Sequence, residues 1–134
     1  MYRITVEDEF AGAHHLRNYR GKCENPHGHN WKVAVSLDGE EPGDNGLLID
    51  FGDVRKILHA VLDELDHTDL NRVSFFRRRN PSSENIAFYL FQNMRKAMKK
   101  KGIVVAKVTV WENGRQSAAY WEKEAKAVCE CVGG

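Results

Sequence analysis

The hydrophobic period changes twice along this 134-residue chain, and that pattern limits the fold more than any other feature of the sequence. Period two comes first. Tyr2, Ile4, Val6 and Phe10 alternate with Arg3, Thr5 and Glu7, as in a strand with one buried face. Trp31, Val33, Val35 and Leu37 repeat the alternation against Lys32 and Ser36. The period then lengthens. From about Asp53 to Leu65, the residues Val54, Ile57, Leu58, Val61, Leu62 and Leu65 form one helical stripe. A second helix is predicted after Pro81, with Ser82 or Ser83 as its cap and Glu84 in its first turn. It turns Ile86, Ala87, Leu90, Phe91, Met94 and Ala97 or Met98 inward, and Lys99-Lys100-Lys101-Gly102 stops it. Period two returns from Val104 to Trp111, and Asn113-Gly114 predicts a tight turn into a last strand near Ala118 to Trp121. Residues 17–26 read as a polar loop and Glu40 to Gly46 as a turn. Strands and helices in separate blocks predict an α+β fold with an antiparallel sheet.

The length fits one domain spanning residues 1–134. A formal charge of +1, with no basic stripe, argues against a nucleic-acid partner. The opening residues carry early acidic side chains and no long apolar run. No apolar stretch reaches the roughly 18 residues that span a bilayer. The chain therefore reads as a cytoplasmic protein without a membrane partner. Cys23, Cys129 and Cys131 are odd in number and too few for a disulfide framework, so each reads as a free thiol, a ligand or a nucleophile.

The strongest chemical signal is His27-Gly28-His29 at the start of the second strand. Residues i and i+2 of a strand project to one face, so two imidazoles so placed can grip one metal ion. His14 ends the first strand with the parity of Phe10, whereas His15 has the opposite parity. Antiparallel pairing of the two strands brings His14 toward the pair. Three histidines with an open fourth position is a catalytic zinc pattern, although imidazoles also suit copper, iron or nickel.

Cys23 stands four residues before His27, beside Lys22, where a cation or a metal would depress a thiol pKa. It could serve as base or nucleophile, or close the metal site as a fourth ligand. Asp66-His67 follows the last apolar position of the first helix, where the helix dipole disfavours a carboxylate. A carboxylate beside an imidazole orients it and supports acid–base work. Glu112, before Asn113-Gly114, offers two side-by-side acceptors that match the adjacent N–H donors of a 2-amino-4-oxo pyrimidine edge, as in pterins and guanine. Arg77-Arg78-Arg79 reads as a solvated loop able to meet phosphates, and His59 as a structural helix residue.

Together these pieces resemble the 6-pyruvoyl-tetrahydropterin synthase and 6-carboxy-tetrahydropterin synthase family over nearly the whole chain. Phe10-Ala-Gly-Ala-His14-His-Leu16 resembles the family's first ligand motif. Cys23-Glu-Asn-Pro-His27-Gly-His29-Asn resembles its Cys-x-x-x-His-Gly-His segment. Ile49-Asp50-Phe51, Leu65-Asp66-His67 with Leu70-Asn71, Pro81-Ser-Ser-Glu84-Asn85 and Val110-Trp111-Glu112 follow in the family's order. Gly12 departs from a usual Ala, and Asn113 stands where a Thr often follows the glutamate.

The resemblance implies the tunnelling fold: an antiparallel four-stranded sheet with two helices on one face, assembling into a barrel of sheets across subunits. It also implies a homo-oligomer, commonly a hexamer, with active sites between subunits. By the same resemblance His14, His27 and His29 would bind Zn2+. Cys23, Asp66 and His67 would transfer protons, and Glu112 would hold the pterin ring. The implied substrate is a pterin triphosphate, 7,8-dihydroneopterin triphosphate. The spacing from Cys23 to His27 is closer to the bacterial carboxy-forming enzymes of queuosine biosynthesis than to the animal pyruvoyl-forming ones.

Overall fold

The structure, a computed structural model, describes residues 1–19 and 25–123. Two long strands come first, β1 (Tyr2–His14) and β2 (His27–Gly39). Helix α1 (Phe51–Asp63), a two-residue strand β3 (Thr68–Asp69) and two single turns of 3-10 helix follow. Helix α2 (Ser83–Ala97), β4 (Ile103–Asn113) and β5 (Gln116–Tyr120) complete the order. The sheet order is β3-β1-β2-β4-β5. The expected α+β arrangement is present, with β1, β2, β4 and β5 antiparallel. It differs from a four-stranded sheet by β3, which pairs parallel to β1 through Gly12 and Ala13. Two residues are too few to show an alternation, so the sequence carries no signal for this strand.

Directly opposed residues share a sheet face, and the register puts Phe10 against Trp31, Val33 against Val110 and Val35 against Val108. All six are buried in one cluster with Val54, Leu58 and Leu62 of α1 and Ile86, Leu90 and Met94 of α2. One face of the sheet therefore carries the core, and both helices cover it. Trp31 is fully buried. Its ring stacks on Phe10 at 6.0 Å, and its Nε1–H donates to Gly12 O at 3.1 Å.

Both helices begin at side-chain caps. Asp50 accepts from Gly52 N and starts α1 at Phe51, three residues before the apolar stripe begins at Val54. Ser82 accepts from Asn85 N and starts α2, as the Pro-Ser-Ser-Glu run predicts. Helix α2 ends at Ala97, before the lysine run, and Met98 rather than Ala97 is buried. Gly102, at φ +82°, turns the chain into β4. The space at Gly12 explains its departure from alanine. A Cβ there would lie 3.3 Å from both Leu70 Cγ and Phe10 Cε2, tighter than ordinary contact.

Candidate metal centre and active site

The β1–β2 ladder places His14 directly opposite His27 and Gly12 opposite His29. All three histidines therefore continue the core face past Phe10 and Trp31 to one end of the sheet. Their rings stand steeply to one another, with centroids 4.6–5.3 Å apart. Glu112 arrives from β4. The β4–β5 pairing steps from Trp111 against Ser117 to Asn113 against Gln116, leaving Glu112 as an extra residue in a bulge. Its carboxylate lies 3.4 Å from His29 Nε2, and one donor atom each from His14, His27, His29 and Glu112 falls within 4.8 Å of the others.

The hydrogen bonds around the rings set which nitrogens face inward. A carbonyl only accepts, so His14 Nδ1–H donates to Pro81 O at 2.7 Å and the lone pair sits on Nε2. His27 Nδ1–H donates to Asn25 O at 3.0 Å in the same way. The Nε2 atoms of His14 and His29 are buried with no hydrogen-bond partner among the described residues. Burial also pushes His14 below the usual histidine range. The Pro81 carbonyl opposes that shift, and the neighbouring His27 adds to it. A neutral imidazole with its lone pair turned into a cluster of donors is the ligand form a metal requires. Zinc bonds to nitrogen of about 2.0–2.1 Å put tetrahedral donors roughly 3.4 Å apart, within the span observed. The donor set fits a divalent metal.

His15 takes no part in that cluster. Its backbone N–H donates to Asn71 Oδ1 at 2.9 Å, and its carbonyl accepts from Asn71 Nδ2 at 3.0 Å.

The profile of the family described as 6-pyruvoyl tetrahydropterin synthase matches residues 3–123. The chain belongs to this family. Its function is accordingly that of a tetrahydropterin synthase. A putative 6-pyruvoyl tetrahydrobiopterin synthase of Caenorhabditis elegans is 33% identical over 132 residues, spanning 87% of this chain and 94% of that protein. A putative 6-carboxy-5,6,7,8-tetrahydropterin synthase of Archaeoglobus fulgidus is 36% identical over 110 residues, spanning 82% of this chain and 87% of that one. The solved structure of C. elegans 6-pyruvoyl tetrahydropterin synthase superposes with a TM-score of 0.79 at 33% identity, over 92% of this chain and 98% of that one.

Of the three residues that the family resemblance assigns to proton transfer, two stand apart from the donor cluster and one is not described. Asp66 and His67 lie beyond the end of α1, at the β3 edge, and are not in the donor cluster. Cys23, like Cys129 and Cys131, lies outside the described residues. Helix α1 ends at Asp63, short of the expected Leu65, so Asp66 lies beyond it. Its Oδ1 accepts from Ala11 N at 2.8 Å, and Oδ2 lies 3.0 Å from His67 Nδ1. The His67 backbone has φ +57°, uncommon outside glycine, and its N–H donates to Ala11 O at 2.6 Å. The His67 ring is left 82% exposed.

The Ala11 N–H, with the His67 ring as a smaller contribution, holds the Asp66 carboxyl below its usual range. A depressed folded-state pKa stabilises the fold above the unfolded value of about 4, and the effect is lost as pH falls through the folded value. Asp66→Asn is therefore expected to melt below the wild type at pH 7. The gap should narrow once the pH is taken below about 4. A gap of constant size across that range, in paired thermal melts, would remove the charge from the account.

Sequence reasoning left three features of the site unread. Glu112, expected as a ring anchor, also lies within reach of the metal donors, because the bulge aims it there. Trp31 walls the site, its ring 4.9 Å from that of His14 and 5.3 Å from that of His29. The Pro81 carbonyl orients His14. The parity of Trp31 with His27 and His29 was a signal for the second; a backbone acceptor leaves no signal in residue type.

Proposed function

We propose that this chain is a zinc-dependent lyase that converts 7,8-dihydroneopterin triphosphate to 6-carboxy-5,6,7,8-tetrahydropterin, releasing triphosphate and acetaldehyde, in queuosine biosynthesis. The observation that carries the reading is the convergence of His14, His27, His29 and Glu112 at one end of the sheet, with two buried imidazole nitrogens turned inward. His14, His27 and His29 hold the metal. When bound, zinc supplies Lewis acidity toward the oxygens of the substrate side chain.

Glu112 accepts hydrogen bonds from the 2-amino group and the adjacent ring N–H, which fixes the pterin beside the imidazoles. Cys23, as thiolate, takes and returns the side-chain proton. His67, oriented by Asp66 at 3.0 Å, is its proton partner. Because that pair sits at the β3 edge, outside the donor cluster, we assign it to the site of an adjacent subunit in a cytoplasmic homo-oligomer, a hexamer by family resemblance.

The four-residue step from Cys23 to His27 supports the carboxy-forming outcome. A second reading, triphosphate elimination to 6-pyruvoyl-tetrahydropterin without side-chain cleavage, is supported by the extent of the C. elegans match. Mass spectrometry of the products from dihydroneopterin triphosphate and added zinc separates the two. The expected products are the 6-carboxy compound and acetaldehyde; a 6-pyruvoyl product would overturn the first reading. In the same assay Cys23→Ala is expected to retain zinc while turnover falls by about 10²–10⁴-fold. Loss of zinc in that variant would make Cys23 a ligand instead.

A further inference from the structure

We propose that Asn85, on the first turn of α2, is a positioning residue for the metal centre, acting through Asn80 and the Pro81 carbonyl on His14. The inference rests on the metal-binding reading above and deepens it. His14 is 2% exposed, and among the described residues its hydrogen-bond partner is Pro81 O. That carbonyl belongs to the peptide joining Pro81 to Ser82, the N-cap of α2. Its position is therefore fixed by whatever holds the start of the helix and the residue before it.

Two kinds of bond do so. Within the helix start, Ser82 Oγ accepts from Asn85 N at 3.1 Å, and Ser82 O accepts from Ile86 N at 2.9 Å. Toward the segment before the helix, Asn85 Nδ2–H donates to Asn80 O at 2.8 Å. Asn80 in turn grips the backbone of Arg17 from both sides: Oδ1 accepts from Arg17 N at 2.9 Å, and Nδ2–H donates to Arg17 O at 3.0 Å. Arg17 lies three residues past His14, so the bonds close a ring that leaves β1 at His14 and returns to it through Pro81, Asn80 and Arg17. Asn85 is the member that ties the ring to the helix.

The ring decides the orientation of one ligand. With Pro81 O in place, His14 keeps its proton on Nδ1 and presents Nε2 to the cluster. If the carbonyl shifts, the imidazole can rotate or exchange tautomer, and the donor points away. Partners of this outer kind typically carry 10–100-fold in metal affinity. Backbone carbonyls serve as well as carboxylates in that role, but a carbonyl cannot be replaced by mutation, so its anchor is the residue to change.

The test is zinc affinity by competition with a chromophoric chelator, together with the visible spectrum of the cobalt-substituted protein. Asn85→Ala removes the donor to Asn80 O and is expected to weaken zinc by 10–100-fold and to distort the cobalt bands. Asn85→Asp is the milder variant, should the first fail to fold. It keeps the side-chain size, places an acid where a helix start favours one, and still lacks the donor. It too should lose at least about tenfold in affinity. Tyr89→Phe is the stability control, since it removes a hydrogen bond to Glu64 from the same helix. It should bind zinc as the wild type does. Wild-type affinity and spectrum in a folded Asn85 variant, or an equal loss in Tyr89→Phe, would overturn the positioning role. Absence of zinc binding by the wild type would instead overturn the metal reading beneath it.

Discussion

His14→Ala is expected to lose stoichiometric zinc and turnover together while keeping its secondary structure. A structural zinc site of four ligands carries roughly 10–16 kcal/mol, so one ligand is worth about 2.5–4 kcal/mol, or on the order of 10²–10³-fold in affinity. The strands that carry the ligand do not depend on it. β1 and β2 pair from Tyr2 against Gly39 to His14 against His27, and Phe10 and Trp31 pack beneath the site. Far-ultraviolet circular dichroism should therefore match the wild type while metal analysis falls from one zinc per chain toward zero.

Glu112→Ala is the informative partner variant. As a ring anchor, Glu112 should be dispensable for zinc to within about tenfold yet required for turnover. If Glu112→Ala strips the metal as His14→Ala does, the carboxylate 3.4 Å from His29 is a fourth ligand. The open coordination position, and with it the lyase proposal, would then fail.

Trp31→Ala should show the largest effect on stability. Trp31 has no exposed surface, stacks on Phe10 and donates its indole N–H to Gly12 O. Truncating a buried tryptophan costs about 3–5 kcal/mol in lost burial and residual cavity. That is a large share of the roughly 5–15 kcal/mol that holds a domain folded. A fall in melting temperature on the order of 10–15 °C follows. Zinc affinity should drop as well, because the rings of His14 and His29 lean on the indole. Trp31→Phe, which keeps most of the packing, should recover much of both. A melt within about 2 °C of wild type for Trp31→Ala would show that the wall beneath the site carries little of the fold.

These expectations draw unequally on what the sequence alone could supply. The strand pair and the convergence of His14 with His27 and His29 were legible, because a period of two fixes which face a side chain takes. The two helices were legible from their stripes, and α2 from its serine cap. The start of α1 was not, since Asp50 caps a helix whose first residues, Phe51 and Gly52, do not belong to the apolar stripe. Glu112 was legible as a carboxylate near a ring site but not as a neighbour of the metal donors. A bulge changes the aim of one residue without changing the alternation around it. The unfavourable place of Asp66 near a helix end marked it as serving some other purpose. Its task in the fold is to accept the N–H of Ala11, a contact 55 residues away in sequence that no local pattern announces. The asparagines at 71, 80 and 85 were equally silent, because their partners are backbone groups, those of Asn71 and Asn80 on the segment after β1 and that of Asn85 at Asn80.

The bulge at Glu112 has a bearing on how this scaffold could change its preference among ring compounds. Because the carboxylate is steered by backbone geometry, residue 112 can be exchanged for glutamine or aspartate with the strand around it undisturbed. With the roles proposed above, recognition of the heterocycle and capture of the cation would be separable on one sheet, the first alterable at a single position on β4 while the second stays with β1 and β2.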